Sequence, residues 1–137
     1  MSPTIRLVTF IALVSIAVGS GSATAGAHEL EPPPIVFPVI GDVSYSDTFG
    51  APRPGGRTHE GTDVMTGNVK GLPVVAAAGG TVSCIADDCC HLAIDHGSGW
   101  STWYIHLDND TPGTDDGLGW GIAEGIEVGA PVVAGQL

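Results

Sequence analysis

Positive charge is scarce in this sequence. Four Lys and Arg stand against 15 Asp and Glu over 137 residues, a formal net charge of −11 at pH 7. Beyond position 27, where all the acidic residues lie, the fixed cations are Arg53, Arg57 and Lys70. That balance argues against nucleic acid as a partner, because holding a phosphate backbone needs a basic face. The acidity reads instead as solubility in an extracellular setting. Cysteine is also sparse. Cys84, Cys89 and Cys90 are too few for a four-cysteine zinc site, and their crowding beside His91 disfavours a mixed one. In an exported chain the odd count predicts one disulfide and one remaining thiol. A bond from Cys84 to either Cys89 or Cys90 would cross a turn at Asp87-Asp88. Strand register selects the partner, since neighbouring side chains point to opposite faces. Helical periodicity is absent after residue 27.

The longest apolar run, Leu7 to Gly19, is too short for a comfortable membrane span. Arg6 precedes it, and small residues follow, with Ala23-Thr-Ala25 and Ala25-Gly-Ala27 as alternative cleavage sites. Residues 1–27 therefore read as a secretory signal peptide rather than an uncleaved anchor, which predicts a secreted or cell-envelope protein with no stable membrane insertion after cleavage. Residues 28–36, with Pro32 to Pro34, read as a stiff extended linker. Residues 37–137 are then the domain.

Within the domain, Ser44 to Gly56 is polar and glycine-rich, and reads as a loop. From Leu72 the pattern is β. Strands are expected over Leu72 to Ala78, Thr81 to Ala86, Leu92 to Asp95 and Trp100 to Leu107, separated by Gly79-Gly80, Asp87-Asp88 and Gly97-Ser-Gly99. They predict a mainly β domain built on an antiparallel meander. Alternation puts Trp100, Thr102, Tyr104 and His106 on one face of the last strand. On that ground alone His106 is a strand-end histidine packed on aromatic rings. Asp108 to Gly121 is a long Gly/Asp loop and a candidate binding rim. Gly71-Leu-Pro-Val-Val-Ala76 recurs as Gly129-Ala-Pro-Val-Val-Ala134, so a strand is expected to follow the second copy as one follows the first.

The stretch Arg57-Thr-His-Glu-Gly-Thr-Asp63 is where a histidine and a carboxylate come close together beside a glycine. Imidazole nitrogen and carboxylate oxygen are ordinary zinc donors, and Gly61 allows the backbone to turn between them. Spacing alone is a weak signal and favours an exposed polar turn with a histidine in it. Glu60 lacks a second histidine at helical spacing and reads as a loop carboxylate.

Taken in order, His59-Glu-Gly-Thr-Asp63, Gly71 to Val82, Asp95-His-Gly-Ser-Gly99 and Tyr104-Ile-His106-Leu resemble the lysostaphin/LytM-type zinc metallopeptidases, bacterial cell-wall endopeptidases. The resemblance covers Phe37 to Leu137. It implies a barrel-sandwich fold, Zn2+ held by His59 and Asp63, His106 as the catalytic acid/base or oxyanion partner, and a peptidoglycan peptide as substrate. The family's His-x-His segment, which carries the third ligand, has no match here. His28 lies in the linker, and His91 and His96 fall at non-ligand positions of the pattern. The resemblance therefore implies a C-terminally incomplete domain with little or no endopeptidase activity. A second expectation, from a different class, is a non-catalytic cell-wall binding or regulatory module on the same fold. A third is an exported structural β-domain that binds no metal.

Overall fold

The computed structural model describes residues 7–14, 31–87 and 90–137. Among them the strands are β1 (Leu7–Val14), β2 (Ser44–Tyr45), β3 (Pro52–Arg53), β4 (Arg57–Thr58), β5 (Thr62–Met65), β6 (Gly80–Ile85), β7 (His91–Gly97), β8 (Trp100–Ile105) and β9 (Pro131–Val132). Seven form one antiparallel sheet in the order β2-β5-β1-β8-β7-β6-β9, and β3 with β4 forms a separate hairpin. The domain is mainly β, and neither sheet closes into a barrel.

The meander β6–β7–β8 is the part that the period-2 pattern predicts. Its inward positions are apolar apart from Thr102, and the β7–β8 turn holds Gly97 and Gly99 at positive φ, a region open to glycine. Val82, Ile94 and Tyr104 are buried together with Ala76, Ala77 and Val132. Burying each of Val82, Ile94 and Val132 contributes about 1.5–3 kcal/mol relative to exposure. Thr102 and Tyr104 share the buried face of β8, as alternation requires. The phenol is not stranded there: its oxygen accepts from Ala77 N at 2.7 Å and from Thr102 Oγ1 at 3.2 Å.

Leu72 to Ala78 departs from the expected strand and makes only an isolated bridge, Val74 to Val39. Its backbone is shared between two neighbours. Val75 N donates to Pro38 O, and Ile40 N to Pro73 O, on one side. On the other, Ala76 N donates to Gln136 O and Gly135 N to Ala76 O. Pro73 has no N–H to give. The two copies of the Gly-x-Pro-Val-Val-Ala repeat both open on a left-handed glycine, Gly71 (φ 69°) and Gly129 (φ 94°). They differ in burial: Val75 is inside in the first copy, whereas Val132 is inside and Val133 outside in the second. Ser44 to Gly56, expected as a loop, contains the two-residue strands β2 and β3. These are too short to show as periodicity.

No disulfide joins Cys84 to Cys90. The register explains this: Cys84 faces Ala93, and Ile85 faces Leu92. Cys90 is then three positions along the strand from the residue opposite Cys84, about 10 Å at the strand rise. A disulfide needs Cα atoms within about 7 Å. The alternative bond to Cys89 lies outside the described residues.

The apolar run read as a leader is β1, an interior strand of the sheet. It pairs antiparallel with β5 from Leu7↔Met65 to Phe10↔Thr62, and with β8 from Thr9↔Ile105 to Val14↔Trp100. In this position an apolar, β-branched-rich sequence pairs with two strands that do not pair with each other.

Candidate metal centre

His59 and Asp63 meet. His59 follows β4, Asp63 is the second residue of β5, and buried Gly61 sits in the connection. Backbone bonds fix the histidine on both sides: His59 N donates to Ala51 O, and Gly50 N to His59 O. The ring is 8% exposed as a residue, and Nε2 lies 3.0 Å from Asp63 Oδ1. Its Nδ1 lies 3.0 Å from Thr48 Oγ1 and 3.1 Å from Thr48 O. Thr48 Oγ1 also accepts from Asp63 N at 3.4 Å. One threonine thus orients both members of the pair.

The second oxygen of Asp63, Oδ2, accepts from Arg53 Nη2. Arg53 ends β3, and the hairpin turn Pro54-Gly55-Gly56 returns the chain to β4, so the hairpin presents the guanidinium beside the carboxylate. Sequence reasoning missed Thr48 and Arg53. Thr48 carries no signal, since any loop threonine looks the same. Arg53 does: it is one of three fixed cations in an acidic domain, and it lies six residues from His59.

His106 does not join this pair. It lies just beyond β8 at φ 63°, a left-handed conformation uncommon for a residue with a Cβ. That twist ends the strand and takes His106 off the alternation that placed it with Tyr104. It is exposed, and its ring centroid lies 6.1 Å from that of His91. Asp63 and Ile105 are both register partners of Thr9, on opposite sides of β1. Two strand spacings, about 10 Å, separate their backbones. Among the described residues no third His, Cys, Asp or Glu completes a metal-binding group with His59 and Asp63. His96 is used locally, with Nδ1 2.8 Å from Gly79 O and Nε2 3.0 Å from Thr102 Oγ1.

A cavity of about 1140 Å³ lies away from this pair, between the meander and the Asp108–Gly121 loop. Val82, Ile94, Tyr104, Leu107, Trp120 and Ile126 line it. At its rim Lys70 Nζ donates to Asp110 Oδ2 (3.0 Å), Thr114 O (2.9 Å) and Asp115 Oδ1 (2.8 Å). Within the loop, Asp116 Oδ1 accepts from Thr111 N and Leu118 N. Those two backbone donors, Thr111 first, hold its carboxyl down to about 2.

The His59–Asp63 separation is that of a direct hydrogen bond and is also close to a ligand-to-ligand spacing. Two donors at 2.0–2.1 Å from one tetrahedral zinc stand about 3.3 Å apart, near the observed 3.0 Å. Both groups are already engaged, His59 Nε2 with Asp63 Oδ1 and Asp63 Oδ2 with Arg53, so a metal here would displace these contacts. No family model, curated protein or solved structure matches this chain.

Proposed function

We propose that this is an exported zinc-endopeptidase-type domain of the lysostaphin/LytM kind, directed at the peptide cross-links of bacterial peptidoglycan. Residues 1–27 serve as its signal peptide, and the sheet is part of a barrel-sandwich. The observation that carries the reading is the His59–Asp63 pair, at ligand-to-ligand separation and fixed by Thr48. His59 and Asp63 would hold the metal. A zinc ion there would supply a bound water with its pKa lowered to about 7. His106 is assigned the proton-transfer or oxyanion role by its position in the Tyr-x-His-Leu segment. With β1 between β5 and β8, its strand lies two strand spacings from that of Asp63. Two protein ligands give weak, exchangeable metal binding, and the chain as it stands has little or no peptidase activity.

Arg53 supports a second reading. A guanidinium on Asp63 neutralises the carboxylate without a metal, which suits a non-catalytic wall-binding or regulatory module. Zinc titration of the full chain, with His59→Ala and Asp63→Ala as controls, and turnover of purified peptidoglycan separate the two. Zinc uptake abolished by both substitutions supports the metal site. Zinc uptake without turnover, together with binding to wall peptides, supports the module. Absence of zinc uptake overturns the metal site.

A further inference from the structure

We propose that the gap between β5 and β8 is an acceptor site for an extended peptide strand, occupied in this chain by its own Leu7–Val14. The proposal goes beyond the metal reading and rests on ladder geometry alone. β5 and β8 pair with β1 and not with each other. The occupant touches both walls of the slot at Thr9 and Phe10, continues along β5 toward Leu7, and continues along β8 toward Val14. A strand held in this way is held by main-chain N–H and C=O groups, which every extended peptide possesses. Without an occupant, both walls present unpaired backbone edges, a state proteins avoid by covering or pairing them. The slot therefore needs a strand, and its ladder does not require that the strand be this one.

The pleat states which peptides fit. Register partners lie on the same face of a sheet. A residue entering at position 10 stands between Thr62 and Tyr104, and one at position 8 stands beside Val64. Val64 and Tyr104 are buried, so positions 8 and 10 require apolar side chains. A residue at position 9 stands between Asp63 and Ile105, on the other face. A carboxylate there would meet Asp63 across the ladder. The partner is thus an extended polypeptide segment, apolar at alternate positions and without an acid opposite Asp63. When residues 1–27 are cut away, the slot is open to it.

The test uses the whole chain, with a specific protease site replacing the exposed Pro32–Pro34 region. After nicking, the amino-terminal piece should remain bound. An excess of labelled peptide with the sequence of residues 7–14 should displace it and protect the amides of β5 and β8 from hydrogen exchange. A peptide carrying Asp at the position of Thr9 should bind roughly threefold more weakly, from like-charge cross-strand repulsion. A nicked Ile11→Pro chain, with a proline inside its β1–β8 pairing, should release its piece sooner and take up the peptide more readily. The proposal is overturned if the piece departs on nicking and no peptide enters, or if it cannot be displaced. Loss of zinc binding leaves these readouts unchanged, so the two readings fail separately.

Discussion

The meander β6–β8 and the arm from Ser44 to Met65 lie in one domain but are held by different forces. The meander has continuous ladders and a buried apolar face on which Val82, Ile94 and Tyr104 converge. The arm has strands of two to four residues. Apart from β5, which is anchored in the sheet with Val64 buried, its order comes from Thr48 bridging His59 and Asp63, from the Arg53 ion pair and from backbone bonds between residues 50–51 and His59. A region held by area resists point changes in charge, and a region held by a few polar contacts does not. The second kind of region is the one that can host chemistry, because its polar groups are already desolvated and aimed.

The largest effect should come from the meander. Tyr104→Ala should cost about 3–5 kcal/mol of global stability in denaturant unfolding, the range for deleting a buried aromatic. Tyr104→Phe should cost about 1–3 kcal/mol, because Ala77 N loses its acceptor in a buried site. Burial also raises the Tyr104 pKa. The neutral phenol is the stabilised form, so its contribution is complete below the ordinary tyrosine value near pH 10 and is lost as pH rises through the folded value. Alkaline unfolding should shift to higher pH in Tyr104→Phe relative to its own neutral stability.

A smaller and opposite effect is expected where the two regions meet. Thr66, just after β5, is buried, and its Oγ1 has no hydrogen-bond partner among the described residues. Thr66→Val should raise stability by about 1 kcal/mol, read as a higher denaturant midpoint at unchanged slope. A loss of stability would show that the hydroxyl is satisfied.

Within the arm, Arg53→Gln should leave global unfolding almost unchanged while tightening zinc binding roughly threefold to fivefold, since a partly exposed ion pair is worth up to about 1 kcal/mol. Unchanged zinc affinity would place the guanidinium outside the metal's path. The smallest change concerns the acidic loop. The Asp116 carboxyl is held at about 2, so its ordering effect is present above the ordinary carboxylate value and fades as pH falls from about 4 toward 2. Protection of the Thr111 and Leu118 amides, measured against their intrinsic exchange rates, should fall over that window, and Asp116→Asn should remove the dependence.

The same contrast decides what could be read from the sequence. Strands β6, β7 and β8 were legible because period-2 patterning and glycine turns report burial directly. The pairing of His59 with Asp63 was legible because four residues and a glycine bring two donors together. Leu72 to Ala78 was misread because an apolar run does not reveal that its hydrogen bonds are divided between Pro38–Ile40 and Gly135–Gln136. His106 leaves the face of Tyr104, because alternation cannot anticipate a left-handed residue at the strand end. The position of β1 was illegible for a different reason. Composition identifies an apolar run, and only the sheet shows which edges lack a partner.

Lys70 gives the cavity a property of its own. Its ammonium closes a chain loop of 45 residues to Asp115, at a side chain that is 31% exposed. The folded meander β6–β8 lies between the two residues, so the contact ties the acidic loop back to the start of the segment that precedes the meander. Solvent ions screen that contact, whereas they leave the apolar walls almost untouched. The roof over the cavity is therefore latched ionically: added salt should loosen it while the sheet beneath stays folded.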